Sequence, residues 1–254
     1  MEERSLQVTA AGGNGKIHSM KIKREIIPGG RVGLAVSGGS DSVALAFLLT
    51  KGGKKKNAAK RFVILHVDHG LRPESKEEYR FVRNLAKRLG VPFKGLHAKV
   101  VRKSGESVEM AARRVRLEFF EKCVASMKLD AIATGHHMDD VAETFLMRIR
   151  RASGPNGLAG IKETSQVGGI RFVRPLLGCR DSELKDYLRK YGEEWREDAS
   201  NGDLSIERNK VRHKVIPYLE QTLDKDLVEH LYRICGYLSG AAAPAGYRLS
   251  TPIL

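Results

Sequence analysis

The sequence predicts an α/β protein built on a doubly wound parallel sheet of Rossmann-like topology, with a small C-terminal helical appendage. Short apolar segments alternate with longer amphipathic segments along most of the chain. Strands separated by helices form right-handed βαβ units, whose parallel sheet is covered on both faces. After Pro175 the pattern changes, and only helical segments follow. The 254 residues are enough for one large core with a small appendage.

The first half of the sheet is predicted from residues 31–98. An apolar run that ends in glycines predicts the first strand, and β-branched content predicts the second. Pro73 precedes the second helix, acidic residues fill its first turn, and Gly90 follows its end. Together with an Ala- and Leu-rich first helix and a weaker third strand, the predicted elements are 31–36, 42–50, 62–67, 74–89 and 92–98.

The second half begins with a long helix and a short strand that Gly135 closes. The next helix ends before Ser153, Gly154 and Pro155, which are typical helix breakers. The elements predicted here are a helix at 107–127, a strand at 131–134, a helix at 139–150, a strand at 170–173 and helices at 180–191, 207–223 and 224–238, with a polar loop at 195–203.

Composition indicates a basic protein of a reducing compartment. Forty-five Lys and Arg against thirty Asp and Glu give a net charge of +15, which attracts polyanions. We expect a nucleic-acid partner, although a solvated basic surface is the simpler alternative. The three cysteines are widely spaced, and residues 1–30 contain no apolar core of a secretory signal. We therefore expect a cytoplasmic protein without a membrane span.

A Gly- and Ser-rich loop between the first strand and the first helix is a candidate phosphate site. Its glycines allow amide groups to turn inward, and the helix directs its positive end at the same place. A carboxylate beside phosphates needs a cation, so Asp41 is the candidate ligand of a Mg²⁺ ion. A capped turn without a ligand is the alternative. The candidate residues are Ser37, Gly38, Gly39, Ser40, Asp41 and Ser42.

This loop, S-G-G-x-D-S, resembles the PP-loop of the N-type ATP pyrophosphatases. The resemblance implies the adenine nucleotide alpha hydrolase type of fold, a doubly wound parallel sheet. It also implies that ATP is cleaved between its α- and β-phosphates, giving AMP and pyrophosphate, while the loop holds the pyrophosphate. Members of this superfamily adenylate an oxygen of the substrate and then displace AMP with a nucleophile.

Glu109, Arg113 and Arg116 fall on one stripe of the long helix, because they are spaced i, i+4 and i+7. The pattern alone favours an exposed helix with a Glu109–Arg113 ion pair. The alternative is a pair of guanidinium groups directed at phosphate. Asp68 and His69, which follow the second strand, have two equally supported interpretations, as nucleotide contacts or as a cap of the next turn.

A second polar cluster follows the fourth strand. If the helix begins early, His136, Asp140 and Glu143 share one stripe. Histidine and carboxylates can bind a metal, Asp139 can cap the helix, and Asp140 with Glu143 can bind a cation such as an amine. The residues alone leave these alternatives open.

In this order, the segments resemble the tRNA(Ile)-lysidine synthetase family over about residues 31–220. The family's motifs V-D-H-G-L-R, A-R-x-x-R, H-H-x-x-D-x-x-E-T, G-L-x-G-I, R-P-L-L, W-x-x-D-x-S-N and R-N-x-x-R correspond to residues 67–72, 112–116, 136–144, 157–161, 174–177, 195–201 and 208–212.

The resemblance implies a ligase that uses ATP, Mg²⁺, free L-lysine and an isoleucine tRNA with a CAU anticodon. ATP adenylates the 2-oxo group of the wobble cytidine, and the ε-amine of lysine then attacks C2 and expels AMP. Asp140 and Arg116 are the first candidates for essential roles, followed by His136, Glu143 and Arg113. Asp140 and Glu143 are assigned to lysine or its transfer, and Arg116 to the negative charge around AMP. A homodimer fits the family.

The chain is accordingly divided into three parts. Gly-rich, weakly patterned residues predict a flexible N-terminal extension at 1–29, and the resemblance assigns 30–215 to a PP-loop ATP pyrophosphatase domain. Residues 216–254 are predicted to form a short helical segment and a disordered tail, because the last residues are rich in Ala, Gly and Pro. The alternatives to lysidine formation are a PP-loop tRNA thiolase-like enzyme, a catalytically idle tRNA-binding protein and a small-molecule ligase. Thiolases of this branch often use C-x-x-C pairs, and this sequence has none.

Overall fold

The computed structural model of the chain describes residues 20–51, 58–70, 75–197 and 199–240. The chain forms two compact units. Unit 1 includes the residues up to His137 together with Glu163–Asn201, and unit 2 includes Met138–Lys162 and the residues from Gly202 onward. None of the described helices is both long and apolar enough to cross a membrane.

Unit 1 contains one six-stranded sheet with the strand order β3-β2-β1-β4-β6-β5. All neighbouring strands are parallel except β5 and β6, which form an antiparallel pair at one edge. The strands are β1 (Val32–Ala35), β2 (Phe62–Asp68), β3 (Phe93–His97), β4 (Ala131–Ala133), β5 (Thr164–Val167) and β6 (Ile170–Val173).

The helices of unit 1 cover both faces of this sheet, and the described secondary-structure elements of unit 2 are all helices. Unit 1 contains α1 (Ser40–Lys51), α2 (Ala58–Arg61), α3 (Ser75–Leu89), α4 (Val108–Met127) and α7 (Asp181–Lys190). Unit 2 contains α5 (Met138–Arg150), α6 (Pro155–Leu158), α8 (Glu207–Lys210), a π-helical segment (Val211–Val215), α9 (Ile216–Thr222) and α10 (Leu227–Leu238).

The alternation of side chains along the strands creates two separate cores. On β2, Phe62 and Ile64 pack with α1, α3 and α7 on one face of the sheet, whereas Val63 and Leu65 pack with α4 on the other. Both sets are almost fully buried, which explains the continuous apolar sequence of β2. The predicted doubly wound α/β fold is therefore confirmed.

The strand order places a topological switch point between β1 and β4. The chain builds β1, β2 and β3 toward one edge, then returns to place β4 on the other side of β1. Ligands of such sheets bind in the crevice beyond the carboxyl ends of the strands at this point. The loop of residues 36–39 and the segment of residues 134–137 leave these two neighbouring strands.

Three features differ from the sequence-based expectations. The antiparallel strand β5 was not predicted, because its residues are mostly exposed and lack an apolar pattern. Residues 20–29 fall in the predicted flexible extension, yet Met20 and Ile27 are buried in the core and the amide of Lys23 donates to the carbonyl of Pro175 at 2.9 Å. The helix predicted at 207–223 contains the π-helical segment in its middle. Residues 1–19 and 241–254, to which the predicted flexible extension and disordered tail largely belong, lie outside the described part. The domain boundaries predicted at 29 and 215 stay predictions.

Gly135 lets the segment after β4 approach the backbone of the phosphate loop. A Cβ atom at this position would lie 2.8 Å from the carbonyl oxygen of Asp41 and 3.0 Å from the amide nitrogen of Ser42. Backbone atoms cannot swing away as a side chain can, so the loop and the segment would have to separate.

We expect Gly135→Ala to destabilise unit 1 by about 1–3 kcal/mol, the usual cost of overpacking, and to weaken ATP binding further by displacing the loop. Thermal unfolding and a nucleotide titration would measure the two effects. Gly29→Ala is the control, because no atom lies within 4 Å of the Cβ position at Gly29. Equal melting temperatures and nucleotide affinities for the two variants would contradict this role of Gly135.

Candidate active site

The loop between β1 and α1 is organised around the hydroxyl group of Ser42. Its Oγ atom accepts hydrogen bonds from the amides of Ser37 and Gly38 at 3.1 and 3.2 Å and donates to the carbonyl of Gly39 at 2.9 Å. Gly38 has a φ of 113°, a conformation that residues with a Cβ resist. The first amides of α1 have no partner inside the helix and, with its dipole, favour an anion. The structure therefore brings the six predicted phosphate-binding residues together in one turn.

A segment far along the chain supports this loop from behind. The amide of Arg196 donates to the carbonyl of Gly38 at 2.9 Å, and its guanidinium lies 4.8 Å from the ring centre of Phe81. Trp195 is half-buried against the core of unit 1. Sequence analysis placed Trp195 and Arg196 in a polar loop and in the motif W-x-x-D-x-S-N, but assigned them no contact with the phosphate loop. Asp198 of the same motif lies outside the described residues, as do Leu71 and Arg72.

Asp41 belongs to a group of three possible metal ligands. Its carboxylate lies 3.5 Å from Nε2 of His137, and the ligand atoms of Asp41, His137 and Asp181 all lie within 4.8 Å of one another. Imidazole nitrogen and carboxylate oxygen are common ligands of divalent cations. His137 is 1% exposed, so its ring is held in place by packing. The arrangement fits one divalent cation, and sequence analysis named only Asp41 as its ligand.

Arg113 and Arg116 lie in a cluster of cationic groups rather than in the ion pair that the pattern favoured. Within the described residues neither guanidinium forms an ion pair. Although Arg116 is an exposed residue, loss of water around its guanidinium and then the charge of Arg113 lower its pKa. Burial, followed by the same Arg113, lowers the pKa of Arg174. Burial, followed by the charge of Arg116, lowers the pKa of His69. Mutually repelling cations of this kind can bind an anion.

Asp68 caps the turn after β2, which was one of the two predicted alternatives. Its carboxylate accepts a hydrogen bond from the amide of Gly70 at 2.8 Å and lies 2.8 Å from Nδ1 of His97. Burial alone would raise the pKa of Asp68, but these contacts outweigh it and the pKa is lowered. Asp68 therefore connects the ends of β2 and β3. Of Asp68 and His69, only His69 lies near the arginine cluster.

His136 precedes helix α5, in agreement with the helix predicted at 139–150. Helix α5 begins at Met138, so His136 belongs to the segment after β4, where its Nδ1 lies 2.8 Å from the hydroxyl of Thr134. The condition of an early helix start, under which His136 would share a stripe with Asp140 and Glu143, is therefore not met. Asp140 and Glu143 do lie on α5, three residues apart.

In unit 2 two arginines neutralise the carboxylates of Asp140 and Glu143. Arg208 donates to Glu143 at 2.6 Å and to Asp140 at 2.9 Å, and Arg212 donates to the same two residues at 2.5 and 3.3 Å. The side chain of Glu143 is 0% exposed and that of Asp140 12%. Sequence analysis did not foresee this cluster, although Arg208 and Arg212 are four residues apart and the acids on α5 are three apart, so that each pair lies on one side of its helical segment.

Comparison with known proteins agrees with this geometry. The family model described as a PP-loop domain matches residues 16–219. A tRNA(Ile)-lysidine synthase from Solibacter usitatus is 42% identical over 204 residues, which are 80% of this chain and 44% of that protein. A tRNA(Ile)-lysidine synthase from Thermus thermophilus is 44% identical over 191 residues, which are 74% of this chain and 35% of that protein.

A solved structure shows the same fold. A U34-tRNA thiolase from Methanococcus maripaludis superimposes with a TM-score of 0.66 at 17% identity, over 85% of this chain and 76% of the thiolase chain. This likeness concerns the fold alone. The chain spans less than half the length of the two lysidine synthases. The match over residues 16–219, with the phosphate loop at the switch point of the sheet, shows that this chain belongs to the PP-loop domain family.

Proposed function

We propose that this chain catalyses ATP-dependent formation of lysidine on an isoleucine tRNA with a CAU anticodon. The observation that carries the proposal is the phosphate loop with its neighbouring metal-ligand group, in a chain 42–44% identical to two lysidine synthases. The net charge of +15 suits a polyanionic substrate. We place the reaction in the cytoplasm, and a homodimer is part of the proposal.

Membership of the PP-loop family implies the use of ATP, and the loop offers amides and hydroxyls to its phosphates. Asp41, His137 and Asp181 are the residues that would hold Mg²⁺. When bound, Mg²⁺ neutralises charge on the phosphates. Because the imidazole of His137 is fixed by burial, the site is largely preformed on the protein side.

In the first step the O2 atom of the cytidine attacks the α-phosphorus of ATP. The bond between the α-phosphate and its bridging oxygen breaks, and pyrophosphate leaves with the electron pair. Arg113 and Arg116, assisted by Arg174, stabilise the negative charge around the AMP group, because these cations repel one another until an anion lies among them.

In the second step the neutral ε-amine of lysine attacks C2 of the adenylated base. AMP leaves with the former O2 atom, and the amine loses a proton. We assign the orientation of the amine and acceptance of its proton to Asp140, which keeps some exposed surface. The side chain of Glu143 has no exposed surface, so we propose that Glu143 holds Arg208 and Arg212 beside Asp140. His136 follows β4 and stays a candidate for an essential catalytic role.

A thiolase-like function is not favoured. The three cysteines are each buried in a different part of the fold, at Cys123 on α4, Cys179 before α7 and Cys235 on α10. Burial raises the pKa of Cys179 to about 12 and that of Cys235 to about 11, which suppresses the thiolate form that nucleophilic or metal-binding cysteines need.

Incorporation of radiolabelled lysine into RNA tests the proposal. We expect ATP- and Mg²⁺-dependent labelling of an isoleucine tRNA with a CAU anticodon and no labelling of a methionine tRNA, the control with the same anticodon. Labelling of both tRNAs would support the lysine-transfer reaction but would show that this chain alone does not discriminate between the two tRNAs. ATP cleavage without label would indicate another nucleophile, and no cleavage at all would support an idle RNA-binding protein.

Asp140→Asn and Glu143→Gln separate the roles of the two carboxylates. We expect Asp140→Asn to lower lysine incorporation at least a hundredfold while RNA-dependent exchange of pyrophosphate into ATP persists, because adenylation precedes the amine. Glu143→Gln leaves two arginines short of a partner. It should lower the free energy of unfolding by about 2–3 kcal/mol, less than for a fully buried pair because both arginines keep exposed surface.

The matched control is Glu207→Gln, whose carboxylate pairs with the exposed Arg150 and Arg151. It should cost less than about 1 kcal/mol, as expected of surface ion pairs. Chemical denaturation measures the stabilities. Equal losses for Glu143→Gln and Glu207→Gln would refute the anchoring role, and full turnover in Asp140→Asn would refute its part in lysine transfer.

Metal binding by Asp41, His137 and Asp181 can be measured directly, without ATP and without an activity assay. We expect titration with Mn²⁺, followed by electron paramagnetic resonance, to show about tenfold weaker binding for Asp181→Asn and for His137→Asn, since each removes one of three ligands. Asp186→Asn on the same helix is the control, because its carboxylate pairs with Arg189 on the surface. Unchanged Mn²⁺ affinity in both ligand variants would show that Asp41 binds metal without them.

A further inference from the structure

One exposed face of α3 carries a row of four cations. Lys76, Arg80, Arg83 and Lys87 are spaced i, i+4, i+7 and i+11 and are all exposed, so they form a single stripe along the helix. Within the described residues none of the four forms an ion pair. Arg88, next to the stripe, does, with Glu193 at 2.8 Å. This row is called the α3 stripe below.

The α3 stripe lies on the side of α3 opposite its buried residues. Like charges three or four residues apart repel and weaken a helix. The apolar side of α3, with Val82, Leu85 and Ala86, packs into the core and already holds the helix in place. The acidic residues of α3, Glu77 and Glu78, precede most of the stripe and lie outside it. Four uncompensated cations over about 16 Å of helix therefore suit an extended polyanion.

An anchored aromatic pair lies beside the stripe. The ring of Tyr79 stacks on that of His97 with 4.0 Å between centroids and 28° between planes. Tyr79 is fixed by Phe93 at 5.3 Å and lies so close to Gly95 that a Cβ there would be 2.4 Å from its ring. On a helix of 3.6 residues per turn Tyr79 lies about 60° around from the centre of the stripe.

His97 presents an open ring surface to solvent. Its side chain is 62% exposed although Tyr79 covers one face and Asp68 holds its Nδ1 atom at 2.8 Å. A ring with a fixed orientation, one covered face and one open face is what stacking of an unpaired base requires. Because β3 is the edge strand of the sheet, no further strand covers this side of His97 among the described residues.

We propose that the α3 stripe and His97 form a contact surface for an RNA strand, in which the cations bind successive phosphates and an unpaired base stacks on His97. The surface rests on the proposed function, since the RNA expected is the tRNA substrate. It lies on the face of the sheet that α1, α3 and α7 cover, whereas α4 covers the other face.

Binding of unmodified isoleucine tRNA at several KCl concentrations tests the stripe. For Arg80→Gln combined with Arg83→Gln we expect about tenfold weaker binding. The slope of log affinity against log salt should become shallower by about 1.5, because each phosphate contact contributes about 0.7–0.9. The melting temperature should stay equal or rise, since repulsion within α3 is relieved. A structural role would instead lower it.

The control is Lys122→Gln combined with Arg171→Gln. It removes the same charge from exposed positions on α4 and β6 and should leave the salt slope unchanged. His97→Asn keeps a donor near Asp68 but removes the ring. It should weaken binding several-fold with an unchanged salt slope, the signature of lost stacking.

Equal affinities and slopes for the stripe variant and its control would overturn the surface, even if wild-type protein incorporates lysine. Loss of affinity with an unchanged slope in the stripe variant would also overturn it. Failure of the wild type to bind any RNA would overturn it as well. The lysine assay decides the proposed function separately, because that assay depends on wild-type protein alone.

Discussion

Unit 1 depends on one tight connection, the four residues that lead from β1 into α1. Gly38 adopts a φ of 113°, Ser42 ties the turn together with three hydrogen bonds, and Gly135 admits the neighbouring strand end to within contact of the loop backbone. The positive end of α1 is thereby directed to the switch point of the sheet, where parallel βαβ folds bind ligands. Distant residues, such as Arg196, also support this turn.

The arginines named above differ between the two units in whether carboxylates neutralise them. In unit 1, Arg113 and Arg116 have no ion-pair partner within the described residues, and their mutual repulsion lowers the pKa of Arg116 after the effect of desolvation. In unit 2, Arg208 and Arg212 are neutralised by Asp140 and Glu143 at distances between 2.5 and 3.3 Å. Uncompensated cations cost stability and are kept for a ligand, whereas compensated ones hold the fold. This contrast is why we assign Glu143 to positioning and the arginines of α4 to substrate.

The sequence predicted most elements of the sheet because buried parallel strands are short, apolar and rich in β-branched residues, as in β2. It missed β5, whose exposed residues carry no such pattern, and it placed residues 20–29 in a flexible extension although Met20 and Ile27 are buried. It predicted the position of the Gly- and Ser-rich loop between β1 and α1. The phosphate-binding role of this loop and the anion-binding role of the arginines of α4 stay predictions. It could not predict His137 and Asp181 as companions of Asp41, because they lie about 100 and 140 residues away in sequence, and spacing carries no information at that range.

The sequence by itself determined the class of fold, the position of the Gly- and Ser-rich loop and the membership of a PP-loop family, because periodicity, glycine positions and local motifs are properties of neighbouring residues. Only the tertiary structure decided which charges meet. It paired the α5 carboxylates with Arg208 and Arg212, brought Asp68 to His97, and left the cations of α3 without ion-pair partners among the described residues. The physical reason is that burial and Coulomb interactions depend on distance in space, which the chain's topology sets and local sequence does not.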